Sequence, residues 1–112
     1  MNSLKKYLDL KINTSFIGNP DEIKSLGITP RYIPDSFEYL DEMEFLLDYK
    51  PEIKIVFTVA VEGESIKRMM FGWVGPDDDE EAFHPLPEEE LQNFFTEKEK
   101  IILAFFDRLT KN

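Results

Sequence analysis

The clearest pattern in the chain is Ile-Lys-Ile-Val-Phe-Thr-Val-Ala-Val-Glu at residues 53–62. It is rich in β-branched residues, and Ile53, Ile55, Phe57, Val59 and Val61 recur at every second position. That period places them on one face of a β-strand. Gly63-Glu64 follows as a tight turn, where glycine supplies the positive φ that two-residue hairpins require. Residues 65–74 return as a further strand, with Lys67, Met69, Phe71 and Trp73 on one face. Upstream, residues 37–49 carry two overlapping patterns. Odd positions are mostly apolar or aromatic, which favours a strand. Phe37, Leu40, Met43 and Leu47 also fit a helix begun by Asp35. The unambiguous sheet that follows favours a strand from about Met43 to Tyr49, turned into the next by Lys50-Pro51-Glu52.

Helical periods flank this meander. Leu4, Tyr7, Leu8 and Lys11 predict a short helix over residues 3–12, with Ser3 as N-cap. Asn19-Pro20-Asp21-Glu22 reads as a helix start, with a cap, a proline where its missing N–H costs nothing, and acids at the positive dipole end. Gly27 ends that helix. The two prolines in residues 28–34 predict an extended or irregular segment. Near the C-terminus Leu91, Phe94, Phe95, Ile101, Ile102, Phe105 and Leu109 recur at three- and four-residue steps, predicting a helix over residues 88–109. Thr96-Glu97-Lys98-Glu99 resembles a capping box that would split it in two. The expected fold is α+β: a three-stranded antiparallel meander packed against a C-terminal helix or helix pair, with short N-terminal helices. At 112 residues the chain is expected to form one domain, 1–112.

Charge adds what periodicity does not. The net charge is −10 and its distribution is uneven. Residues 35–49 hold six acids and no base, and residues 75–90 hold eight acids and no base. Elsewhere the chain is mildly positive. Unneutralised like charges repel, so such crowding suggests a docking surface for a basic partner. Its competitor is a solvated loop, together with acids at Glu88, Glu89 and Glu90 placed for the helix dipole. The candidate partner-binding residues are Asp77, Asp78, Asp79, Glu80 and Glu81 with Phe83 and His84 beside them, and a second patch of Glu38, Asp41, Glu42 and Glu44. Aromatic anchors next to acids fit an interface with an electrostatic rim. Trp73, just before the loop, reads first as a residue of the strand face.

Other chemistries fit poorly. There is no Cys and a single His, so thiol nucleophiles and Cys/His zinc sites are excluded. His84 lies in a proline-flanked loop and suits a surface residue better than a catalytic base. Glycines 18, 27, 63, 72 and 75 form no phosphate-binding loop. Residues 77–88 match the spacing of a calcium loop, but Ala82 stands where glycine makes the turn and Pro85 interrupts. No metal, no cofactor and no enzymatic activity are expected. The acidity disfavours direct contact with nucleic acid or anionic membranes. Lys5, Lys6, Asp9 and Lys11 interrupt any secretory core, and the longest apolar run is residues 101–106, so a cytoplasmic protein is expected.

In size and charge the chain looks like bacterial immunity proteins and antitoxins that neutralise nuclease toxins, a likeness carried by no shared motif. It implies a stoichiometric inhibitor whose partner is a basic protein, most naturally a nuclease. Alternatives are a nucleic-acid mimic that blocks a defence protein and a non-catalytic adaptor subunit. A monomer is expected, although an exposed strand at residues 65–74, guarded only by Lys67 and Arg68, offers an edge for self-pairing.

Overall fold

A computed structural model describes residues 2–110. The elements are a 3-10 helix (Asn2–Tyr7), α1 (Thr14–Ile17), α2 (Pro20–Ser25), β1 (Ile28–Tyr32), β2 (Asp41–Lys50), β3 (Ile53–Glu62), β4 (Ser65–Val74), β5 (His84–Pro85) and α3 (Glu88–Thr110). The strands form one antiparallel sheet in the order β1-β2-β3-β4-β5. The class is α+β, as the periodicity predicts. The predicted meander is β2-β3-β4, and the sheet gains a strand at each end.

β1 is the first gain. The prolines of residues 28–34 predict an extended or irregular segment, and its first five residues are extended and paired, Ile28 with Leu47 and Pro30 with Phe45. An edge strand leaves one side of its backbone unpaired, which is where proline is tolerated in a sheet. The register then skips Arg31 before Tyr32 meets Glu44, a bulge. β5 is the second gain, two residues inside what the sequence predicts as loop. β2 starts at Asp41 rather than Met43 and is strand throughout, so the helical alternative over residues 37–49 is set aside. Gly63 and Glu64 both have positive φ, 56° and 67°, the combination that a two-residue hairpin turn matched to strand twist favours.

A second bulge corrects the predicted face of β4. Val61 pairs with Ile66 and Ala60 with Arg68, so Lys67 falls out of register and stays exposed while Ile66 is buried. Nor is the edge of β4 open along its length. Residues 9–12 lie against its start, with the Asp9 N–H donating to the Ile66 carbonyl and the Ile66 N–H to that of Leu10. β5 covers its end. The same contacts explain why the first helix is shorter than predicted. Asp9 takes a positive φ of 66°, and the chain leaves the helix to join β4. Ser3 lies inside the 3-10 helix rather than capping it.

The core lies between one face of the sheet and α3. α3 contributes buried Phe94, Phe95, Ile102, Phe105, Phe106 and Leu109. The sheet supplies Met43, Phe45, Leu47, Ile55, Phe57, Val59, Val61, Ile66 and Phe71. α3 runs unbroken through Thr96, whose hydroxyl donates to the Gln92 carbonyl one turn back instead of capping a new helix. Apolar residues on both sides of Thr96 pack on the same sheet face, so a break there would lift one half away. α2 starts as predicted: Asn19 accepts from the Glu22 N–H, and Pro20 follows. Among the described residues no helix is long and apolar enough to cross a membrane.

One polar contact locks the N-terminal segment to α3. The buried Tyr7 hydroxyl donates to Asp107 Oδ1 at 2.6 Å. Burial, then the hydrogen bond and charge of Asp107, push the Tyr7 hydroxyl well above the ordinary tyrosine range. A raised folded value means the neutral hydroxyl stabilises the fold fully below the unfolded value and loses that contribution as pH rises. Tyr7→Phe is expected to cost about 1 kcal/mol at neutral pH. The wild-type advantage should shrink once pH exceeds roughly 10. Urea midpoints of both proteins at neutral and alkaline pH check this, and a gap independent of pH would refute it.

Candidate functional site

The opposite face of the sheet carries the site. Alternation places Glu42, Glu44 and Leu46 of β2, Val56, Thr58 and Ala60 of β3, and Arg68, Met70 and Gly72 of β4 there. Val56 and Ala60 are buried but stand outside the core cluster that joins the sheet to the helices. The acidic loop between β4 and β5 folds back over part of this face.

Local chemistry anchors the loop at both ends. At its start the Gly75 N–H donates to Asp78 Oδ2 at 2.6 Å, and the Asp78 N–H returns to the Gly75 carbonyl. At its end His84 Nε2 lies 3.0 Å from the same Asp78 oxygen, and the His84 ring packs at a tilt of 32° on Trp73, with ring centroids 4.4 Å apart. The Gly75 N–H, and then His84, hold the Asp78 carboxyl below its ordinary value. β5 closes the loop by pairing His84 with Trp73 and Pro85 with Gly72. Gly72 makes this closure sterically feasible. A Cβ there would stand 2.7 Å from the His84 carbonyl and 2.8 Å from the Phe83 ring, too close for any other residue without movement of β5. Phe83 is thus half-buried against this face at Gly72, whereas Trp73 is half-buried on the helix side, where it packs against the core.

From the other side, Arg31 reaches the loop. Its Nη1 donates to the Ala82 carbonyl at 3.0 Å, and its Nε lies 3.8 Å from Glu44 Oε2. Between loop and sheet runs an open groove of about 540 Å³, lined by Arg31, Tyr32, Glu44, Leu46, Asp78, Asp79, Glu80 and Glu81. Five acidic residues therefore line one groove that holds a single guanidinium. Asp77, Asp79, Glu80 and Glu81 are exposed and form no ion pair among the described residues.

The structure brings together part of what the sequence grouped. Glu44 joins the loop acids although more than thirty positions separate them in the chain. Glu42 shares its face but is held by Arg68 at 3.0 Å. Asp41 alternates to the helix side, with Met43 and Phe45. Glu38 lies elsewhere, on a second groove with Ile17, Ile33, Phe37 and Glu64. The predicted second patch is therefore split three ways. Strand alternation itself carries the signal that separates Asp41 from Glu42 and Glu44. The sequence does not single out Arg31, Tyr32 or Leu46, because a bulge in an edge strand, which positions the first two, leaves no mark in a local pattern. Among the described residues, no group of three or more His, Asp or Glu side chains is gathered as a metal-ligand set.

No protein family, curated protein or solved structure matches this chain.

Proposed function

We propose that this protein is a non-catalytic, stoichiometric antagonist that docks a basic protein through the acidic loop. A nuclease toxin is the partner class that fits best. The supporting observation is the convergence of Glu44 with Asp78, Asp79, Glu80 and Glu81 on one groove, with Asp79, Glu80 and Glu81 exposed and in no ion pair among the described residues. Such a field speeds encounter with a cationic surface. Nuclease active sites are cationic because they hold phosphates, so an acidic antagonist gains both rate and specificity against them. On this reading the protein works as a monomer in the cytoplasm, in the manner of an immunity protein or antitoxin.

The test uses the full chain immobilised in an extract of its native host, followed by assay of the purified retained protein. The expected result is a basic nuclease inhibited at equimolar ratio, with affinity falling steeply between about 50 mM and 200 mM salt. A retained protein without a basic surface, or affinity indifferent to salt, would overturn the reading. Short duplex DNA separates docking modes. Competition places the loop in the nuclease groove as a phosphate mimic, and its absence places the contact outside the groove.

A further inference from the structure

We propose that the groove between the acidic loop and the β1–β2 edge is a seat for one lysine or arginine side chain carried on an extended main-chain segment of the partner. The carboxylates and Tyr32 take the cation, and Arg31 takes a main-chain carbonyl. This rests on the docking reading above and adds what is recognised and by which atoms.

Acids alone attract any cation. Two features of the groove ask for more. The first is Arg31, whose side chain is nine-tenths buried. Nη1 is satisfied by Ala82, but Nη2 is buried with no hydrogen-bond partner, the one such side-chain nitrogen or oxygen identified among the described residues. A guanidinium donor shut away from water without an acceptor has lost its hydration with nothing in return. The missing acceptor belongs to the occupant. A carboxylate would enter against five others, whereas an amide carbonyl is neutral and meets no such repulsion.

The second feature is Tyr32. It is 56% exposed, an aromatic ring left in water on the wall of a negatively charged groove. An ammonium or guanidinium over its face gains a cation–π contact while the carboxylates balance its charge. Leu46 offers an apolar surface for the methylene stem, which long basic side chains lay down while the head stays polar. Among the described residues Asp79, Glu80 and Glu81 carry no side-chain hydrogen bond, so between the Asp78 and His84 anchors the loop is held only through the backbone of Ala82, which bonds the Asp79 carbonyl and Arg31.

The test compares two probes of equal charge, acetyl-tetralysine-amide and spermine, by NMR titration of the ¹⁵N-labelled full chain. Only the peptide brings carbonyls. Tetralysine is expected to shift the Arg31 Nε–H and the Tyr32 and Leu46 amides as well as those of residues 77–81, and to bind about fivefold tighter, the worth of one net hydrogen bond. Spermine should shift the loop alone. Arg31→Met should abolish the difference between probes, and Arg31→Lys serves as the variant that keeps the charge if the first unfolds. Equal affinities with shifts confined to the loop in both titrations would overturn the seat and leave acidic docking standing. No shift at residues 77–81 with either probe would overturn both.

Discussion

Phe57→Asp is expected to abolish the cooperative unfolding transition. Phe57 is fully buried at the centre of β3, with its ring 5.3 Å from Phe45 and Phe105 and 5.5 Å from Phe71. Those rings come from β2, β4 and α3, so a single side chain packs against all three elements at once. Truncation to alanine would cost about 3–5 kcal/mol, already a large share of the roughly 5–15 kcal/mol that holds a domain folded. A carboxylate adds the cost of an unpaired buried charge. Near-ultraviolet circular dichroism with a urea titration reads the result, and Phe57→Leu provides a control that should retain a cooperative transition at lower urea. A sharp melt in the Asp variant would show that the core is organised around other contacts.

The second large effect concerns encounter rather than folding. Reversing Asp77, Asp79, Glu80 and Glu81 to lysine changes the formal charge by two at each of four positions, from −10 to −2. These side chains are exposed and form no ion pair among the described residues, so thermal stability should hold or rise slightly as repulsion is relieved. Association with a basic partner should slow by about 10- to 100-fold at low salt, with a flattened dependence on ionic strength. Stopped-flow kinetics across a salt series measures both. An unchanged association rate would remove the loop from recognition, and a collapse in stability would show that these acids hold the fold together.

The two experiments divide the molecule as its physics does. Core aromatics face α3 from one side of the sheet, while the acids and Arg31 meet on the other. β3 serves both faces, large residues inward and Val56, Thr58 and Ala60 outward. Gly72 couples the faces in a different way. By admitting Phe83 and β5 against β4, it sets where the acidic loop closes.

Periodicity and local chemistry determined the elements whose stability is local in origin. The β-branched run of β3, the Gly63-Glu64 turn, the Asn19-Pro20 helix start and the apolar stripe of α3 were legible because each depends on residues within one turn or one strand repeat. The two acidic windows were equally plain by counting. Only the tertiary structure decided which acids meet. Strand alternation sends Asp41 and Glu44 to opposite faces, and the Arg31 bulge and the close approach at Gly72 bring residue 44 to residues 78–81. The physical reason is range: a helix or strand period is set by neighbours in the chain, whereas this groove depends on pairing between strands that no local pattern records.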